Sequence, residues 1–337
     1  MKKLVIGLNG FGRIGRAFTR IAVDRNSFDI VAINTGKTPP NMLAYLLKYD
    51  SVYRTFNHDV KEENNGILID GKKIESSNIR DPQDIPWEKY NVDVVVDCTG
   101  VFKTREDLKK HLKGSVKKVV LTAPTKDESI PMVVLGVNDK ELDFETFDII
   151  SNASCTTNCA APMFKVLHDS LKIVSGFLTT THAYTSSQQL LDNTSKTYAT
   201  SRAAALSIIP STTGAAKAVA KIIPDLAGKV DGMALRVPTP TGSFSDVSCV
   251  VEKQTTVEEI NNLFKTASEE SMKQIVGYAT DTLVSSDYIG SSYSCIFDSN
   301  YTKVINGNLV KAFGWYDNEW GYSCRLVDLV EKLAKVV

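Results

Sequence analysis

The segment KLVIGLNGFGRIGRAFTRIAVDR, residues 3–25, restricts the fold more than any other stretch. Its first half reads as a buried strand, and RIGRAFTRIAVDR reads as a helix with Ile14, Phe18, Ile21 and Ala22 on one side. Between them Gly10, Gly12 and Gly15 spell G-x-G-x-x-G. In that setting the first glycine permits a tight turn, the second lets backbone approach a pyrophosphate, and the third packs helix on strand. The helix N-terminus adds amide donors and the positive end of a dipole. The three glycines are therefore candidate dinucleotide-binding residues.

The following segments extend the same architecture. FDIVAIN and VDVVVDCTG read as buried strands, NMLAYLLKYD as a helix and ILIDGKKI as a hairpin around Asp70-Gly71. REDLKKHLKG reads as a helix with Gly114 at its C-cap, and KKVVLTAP as another strand. Apolar strands without alternation, separated by helices, predict a parallel sheet covered on both faces. After about residue 150 the strands lengthen and gain threonine and serine, as in DGMALRVPTPTGSFSDVSCVVEK. TTVEEINNLFKTAS suits a helix with a threonine and Glu258 or Glu259 in a capping pattern. SCRLVDLVEKLAKVV suits one with Leu326, Leu329, Val330, Leu333 and Val337 in a stripe. The fold class is α/β: a Rossmann-type parallel sheet domain plus an α+β domain with a mainly antiparallel sheet.

Composition narrows the functions. Lysine plus arginine and aspartate plus glutamate each number 39 in 337 residues, so charge favours neither nucleic acid nor an acidic membrane as a primary partner. The opening MKKLVIGLNGFGRIG brings glycines and Arg13 where the apolar core of a leader should continue. No apolar run is long enough to span a membrane. Scattered cysteines (Cys98, Cys155, Cys159, Cys249, Cys295, Cys324) suit free thiols in a reducing compartment, and the expectation is a cytoplasmic protein. With a single close cysteine pair, no metal site is expected.

An NAD-preferring site usually ends its second strand with a carboxylate that binds the ribose. Here that strand ends Ile33-Asn34-Thr35-Gly36-Lys37. Thr35 and Lys37 can donate to a 2′-phosphate that a carboxylate would repel. This leans toward NADP or use of both cofactors; the alternative is that Lys37 is a solvated loop charge and NAD binds regardless.

SNASCTTNCAAP, residues 151–162, delivers an extended chain into CTTNCAAPMFKVLHDSL, whose apolar residues recur at helical spacing. Ser154 or Thr156 can cap it, and Pro162 falls in about the second turn. Cys155 then lies at the first turn, where amides and dipole favour a thiolate. Cys159, one turn deeper, should behave as a small buried residue. LTTTHAYT supplies His182 at the end of a strand as the partner a thiolate nucleophile needs. A cysteine nucleophile beside a nicotinamide suits aldehyde oxidation: thiolate addition, hydride departure, and a thioester that water or phosphate cleaves. Ser154, Thr156 and the Thr212-Thr213-Gly214 turn offer one anion site, and Thr185 with Arg236 a second.

NGFGRIGR, SNASCTTNCAAP, THAYT, RAAALSIIPSTTGAAKA, ALRVPTP and WYDNEWGYS together resemble the phosphorylating glyceraldehyde-3-phosphate dehydrogenase family, from residue 4 to the final helix. The resemblance implies a homotetramer working in glycolysis or gluconeogenesis. It also implies a dinucleotide domain of residues 1–153 plus 318–337 and a catalytic domain of 154–317. Cys155 is the implied nucleophile and His182 the base. Arg13, Ile14, Arg80, Thr99, Asn318 and Tyr322 are implied at the dinucleotide. Thr185 and Arg236 match the substrate-phosphate site, while Ser154, Thr156, Thr213 and Gly214 match the inorganic-phosphate site. The substrates implied are glyceraldehyde 3-phosphate and inorganic phosphate.

Four departures stand out. The usual Asn-Asp at the second strand end is Asn34-Thr35. Asn193-Thr194 replaces a Leu-Pro that members accepting NADP often exchange for small polar residues. A phosphate-holding arginine is Thr200, with Lys196 a candidate substitute, and an aspartate after THAYT is Ser187. A relative that hydrolyses its thioester, erythrose-4-phosphate dehydrogenase, is the nearest rival, and a non-catalytic dinucleotide-binding protein the more distant one. The retained STTGAAKA turn and RVPTP favour phosphorolysis.

Overall fold

The computed structural model describes residues 3–337 and divides into two compact units. One runs to Val133 and takes in Glu141–Ala153 and Ser323–Val337; the other comprises Val134–Lys140 and Ser154–Tyr322. Residues 318–322, assigned from sequence to the dinucleotide domain, belong to the second unit. Hydrogen bonding explains part of this, since Asn318 Oδ1 accepts from Ser243 Oγ at 2.9 Å within that unit.

The first unit begins β1 (Val5–Asn9), α1 (Arg13–Arg25), β2 (Asp29–Asn34) and α2 (Pro40–Lys48). A two-residue ribbon, β3 (Tyr49–Asp50) with β4 (Arg54–Thr55), leads into β5 (Val60–Glu63), β6 (Gly66–Ile69) and β7 (Lys72–Ser77). Then come β8 (Val94–Asp97), α3 (Arg105–Leu108), β9 (Lys118–Leu121) and β10 (Ile149–Ser151). The sheet order is β10-β9-β8-β1-β2-β7-β6-β5. Strands from β10 to β7 pair in parallel, whereas β6 and β5 add an antiparallel edge that the sequence reading covers only as a hairpin. Every residue of β8 and β9 is buried, which is why Val94–Val96 and Val119–Leu121 read as apolar runs without alternation.

Because the chain moves from β1 to β2 on one side and returns to β8 on the other, the carboxyl ends of these three strands form a switch point. Gly10 sits there at φ +98°, and a Cβ would lie 2.8 Å from the Cys98 carbonyl carbon. At Gly15 a Cβ would stand 2.6 Å from the Gly10 oxygen, yet at Gly12 it would meet nothing within 4 Å. Two glycines are thus demanded by packing, and the middle one opens the backbone.

α3 is shorter than its sequence suggests. It ends at Leu108, continues as a 3₁₀ turn over Lys109–His111, and leaves Gly114 beyond the helix, against Glu88. The cause is His111, drawn fully inside to accept from Trp87 Nε1 at 3.0 Å.

The second unit contains α4 (Cys155–Leu171), β11 (Ile173–Ala183), β12 (Ile209–Thr212), α5 (Ala215–Ile222), β13 (Val230–Val237) and β14 (Ser243–Val251). It continues with α6 (Val257–Glu269), β15 (Val276–Ala279), β16 (Cys295–Asp298), β17 (Lys303–Ile305) and β18 (Leu309–Tyr316). The sheet order is β12-β13-β11-β14-β18-β16-β15, with β17 on β18. It is antiparallel except for β11–β13 and β15–β16. Thr256 and Glu259 form the capping box of α6. α4 is buried almost all round, and Pro162 is its eighth residue of 17, deeper than the second turn expected. The proline denies Asn158 the backbone donor its carbonyl would otherwise receive. α7 (Trp320–Leu333) closes the chain with Leu326, Leu329, Val330 and Leu333 buried; Val337 lies past its end, partly exposed. Each such buried side chain contributes about 1.5–3 kcal/mol relative to exposure.

Candidate active site

The chain enters α4 through Ala153, a non-glycine residue at φ +53°. Ser154 is the N-cap selected by the fold, its Oγ accepting from Thr157 N at 3.1 Å. Cys155 is therefore the first helical residue, and its Sγ lies 3.3 Å from His182 Nε2. His182 is the penultimate residue of β11, directly beside Arg236 on β13. Cys159 is fully buried, with Sγ 3.8 Å from the Gly314 oxygen. The two thiols differ as the helix position predicts.

The electrostatics are less simple than a dipole argument suggests. Burial pushes the Cys155 thiol up; Arg236 and the Thr156 amide and hydroxyl pull it down without reversing the direction. Burial, then the charge of Arg236, lowers His182 to about 3. Burial thus disfavours charge on both groups, and the positive end of α4 and Arg236 work against it only at the thiol.

A third residue was not singled out from sequence. Tyr316, fully buried at the end of β18, meets the His182 ring edge-on at 5.9 Å. Its hydroxyl lies 2.9 Å from both Thr156 Oγ1 and Thr180 Oγ1, and Thr180 Oγ1 donates to the Phe244 oxygen at 3.2 Å. The relay thus runs from Thr156 through Tyr316 and Thr180 to a backbone carbonyl. Its only sequence signal was membership of WYDNEWGYS.

The expected anion-binding residues divide by availability. The hydroxyls of Ser154 and Thr156 are engaged internally, leaving backbone amides at the α4 N-terminus as their contribution. Thr213 Oγ1 accepts from Ala215 N, and Gly214 is the N-cap of α5 with no side-chain cap. Thr185 Oγ1 lies 2.8 Å from Ser187 Oγ. Thr200 is turned into its own loop by bonds with Thr197, and Lys196 is exposed.

In the first unit a cavity of about 760 Å³ opens at the switch point, lined by Gly10, Thr35, Lys37, Arg80 and Thr99 among others. Lys110 and Asp81, not foreseen, line it too, 3.6 Å apart. Asn34 faces inward, donating to Asn9 Oδ1 and the Ile79 oxygen and accepting from Ser77 Oγ and Ile79 N. Beneath, Asp97 accepts from Asn9, Thr99 N and Thr99 Oγ1. Gly12, Arg13, Ile14 and Gly15 do not line this cavity. Arg13 instead pairs with Asp50 at 2.6 Å, and its guanidinium lies over Tyr53. Burial works against the Asp50 charge, but the Tyr53 and Val52 amides and Arg13 hold its carboxyl below the usual range. Asn318 and Tyr322 are buried in the second unit.

These residues suit a dinucleotide. No side chain caps α1, Gly12 faces open space, and the cavity places cations and hydroxyls at the end of β2. Among the described residues no cluster of histidine, cysteine or carboxylates is placed to hold a metal ion, and no helix is long and apolar enough to cross a membrane.

Comparison with known proteins agrees with the geometry. Residues 4–105 match a family model described as the glyceraldehyde 3-phosphate dehydrogenase NAD binding domain, and residues 154–318 match the C-terminal domain of the same enzyme. A glyceraldehyde-3-phosphate dehydrogenase of Claviceps purpurea is 48% identical over 331 residues, covering 98% of this chain and 97% of the relative. One from Geobacillus stearothermophilus is 49% identical over 329 residues, covering 98% of each. One from Synechocystis is 46% identical over 332 residues, again covering 98% of each.

Proposed function

The chain belongs to the glyceraldehyde-3-phosphate dehydrogenase family, and we propose that Cys155 and His182 carry out its oxidative phosphorylation of glyceraldehyde 3-phosphate to 1,3-bisphosphoglycerate. The observation that carries this assignment is the 3.3 Å contact of Sγ with Nε2 at the N-terminus of α4. The thiol yields its proton to His182, and the thiolate adds to the aldehyde carbon. His182 then protonates, and takes back the proton from, the oxygen of the hemithioacetal. When bound, the nicotinamide supplies the acceptor for the hydride leaving that carbon, so that a thioester remains on Cys155. Thr185 and Arg236 hold the substrate phosphate. The α4 amides at Ser154 and Thr156, with Thr213 and Gly214, hold the inorganic phosphate that releases the acyl phosphate.

The dinucleotide is held by Gly10, Gly12, Arg13, Ile14, Gly15, Arg80 and Thr99, with Asn318 and Tyr322 at its nicotinamide end. Thr35 and Lys37 read the ribose, since the side chain of Asn34 is occupied. Three cations, Lys37, Arg80 and Lys110, face one carboxylate, Asp81, around the cavity, which supports efficient use of NADP alongside NAD. Steady-state kcat/KM with each cofactor tests this. Thr35→Asp should lower the NADP value by about tenfold or more, because two charges some 4 Å apart repel by about 1–4 kcal/mol between bulk water and a protein surface. Strong exclusion of NADP by the unaltered enzyme would make Thr35 and Lys37 bystanders.

The working form is a homotetramer. Exposed apolar side chains gather on the loop after Thr185, with Tyr198 98%, Leu206 84% and Leu191 75% exposed, and such surface normally marks an interface. All six cysteines are free, which suits a reducing cytoplasm, where the reaction serves glycolysis or, reversed, gluconeogenesis.

A further inference from the structure

We propose that Asp81 and Lys110 together set how well the cavity of the first unit accepts a 2′-phosphate: Asp81 brings in the carboxylate that β2 lacks, and Lys110 cancels its charge. This rests on the reading above that the ribose of the dinucleotide lies beside Thr35 and Lys37.

The sheet carries Asp81 to this place from a different strand. β7 lies beside β2 in parallel, with Ser77 opposite Asn34. Thr35 N donates to the Ser77 oxygen at 2.9 Å, and Asn34 Nδ2 to the Ile79 oxygen at 2.9 Å, so the chains leaving the two strands run together. Asp81 then caps the short 3₁₀ turn Pro82–Asp84, its Oδ1 accepting from Gln83 N at 3.0 Å. It is the one carboxylate among the residues that line the cavity. A carboxylate at the end of β2 marks an NAD site because it binds a ribose hydroxyl and would repel a 2′-phosphate. Here the same charge arrives by way of β7, which a reading of β2 alone misses.

Lys110 answers it. Its Nζ lies 3.6 Å from Asp81 Oδ1, both side chains reaching solvent at the cavity wall. The lysine is held there by its neighbour: His111 is fully buried and accepts from Trp87 Nε1, which fixes the turn Lys109–His111. Lys113 ties that segment to the Asp81 turn by donating to the Gln83 oxygen. Asp81 stays ionised, since the Gln83 amide, then Lys110 and Lys113, hold its carboxyl below the usual range. Among the described residues Lys37 and Arg80, the other cations at the cavity, pair with no carboxylate. A 2′-phosphate therefore meets two unpaired cations and a neutralised carboxylate. Without Lys110 the bare charge of Asp81 faces the phosphate; without Asp81 a third unpaired cation attracts it.

The test titrates the whole enzyme calorimetrically with adenosine 2′,5′-bisphosphate and with adenosine 5′-monophosphate, which differ only in the 2′-phosphate, beside kcat/KM with NADP and NAD. Lys110→Gln should lower the bisphosphate-to-monophosphate affinity ratio by about three- to tenfold at low salt. Asp81→Asn, which can still cap its turn, should raise the ratio by a similar factor, and the double variant should return near the parent. The NADP-to-NAD ratio of kcat/KM should move in the same sense in each variant. All shifts should shrink at about 1 M salt, where the screening length falls to about 3 Å. A ratio unmoved in both single variants, or moved the same way in both, overturns the pairing. So does an equal loss of affinity for both nucleotides, the mark of a merely structural role. Lys37→Gln separates this from the reading beneath it. If Lys37→Gln lowers the ratio while Lys110→Gln does not, the pairing alone fails; if neither does, the ribose lies elsewhere and both fail.

Discussion

Replacing each of the two neighbouring thiols by serine separates chemistry from packing. Cys155→Ser exchanges a thiol touching His182 for a hydroxyl that ionises far less readily, and turnover should fall by at least about four orders of magnitude. Its melting temperature should barely move, because the hydroxyl remains at the edge of a polar helix N-terminus. Cys159→Ser does the opposite. The side chain is fully buried against the Cys295 thiol, a weak partner, and the Gly314 oxygen is 3.8 Å away, beyond hydroxyl hydrogen-bond range. An unsatisfied buried hydroxyl costs about 1–3 kcal/mol. At about 2–4 °C per kcal/mol for a unit of this size, melting should drop by about 2–12 °C. Turnover below that temperature should stay within about threefold of the parent, since nothing at the Cys155–His182 contact is altered. The assay is initial-rate cofactor reduction beside a thermal melt for each variant. Equal loss of turnover in both would refute a single nucleophile, and a stable Cys159→Ser would refute the packing role.

Two further outcomes follow from the surface. His58 bridges Asp70 at 2.5 Å and Asp24 at 2.9 Å, and the Asp70 bond above all raises its pKa. A raised folded value means the stabilisation is complete below about pH 6.5 and is lost as pH climbs through the folded pKa. His58→Gln should therefore cost more in denaturant melts at pH 6 than at pH 8.5; a cost that grows with pH would contradict the pairing. For the proposed tetramer, Leu206→Glu with Ile208→Glu should lower the native mass by sedimentation relative to the parent, and an unchanged mass would place the interface elsewhere.

What could be read from the residues was mostly local. Gly10, Gly12 and Gly15 announce a turn because they fall at fixed spacing between an apolar strand and a helix, Gly10 and Gly15 under steric demand and Gly12 leaving backbone open. Cys155 and Cys159 separate on helix position alone, and β8 declares itself because both its faces are covered. What escaped depends on partners far apart in sequence. Arg236 reaches His182 Nδ1 only through the β11–β13 register, and its charge adds to burial in lowering the His182 pKa, while burial alone raises the Cys155 thiol against the helix dipole. Tyr316 joins the site across β18, and no periodicity marks a hydroxyl that will lie between two threonines. α3 ends early because His111 has a buried partner in Trp87, while the local pattern still spells helix.

The Tyr316 relay has an evolutionary consequence. Thr156 belongs to the helix of the nucleophile and Thr180 to the strand of the histidine, while Tyr316 comes from a third element. Loss of the tyrosine hydroxyl alone would leave Thr156 Oγ1 with only the Cys155 thiol beside it and deprive Thr180 of the donor it accepts from. A lineage can leave this arrangement only by changing two or three positions together, through intermediates less fit than either end. Related chains should therefore vary here as a set. In directed evolution, libraries that randomise Thr156, Thr180 and Tyr316 jointly should yield active variants that one-at-a-time libraries miss.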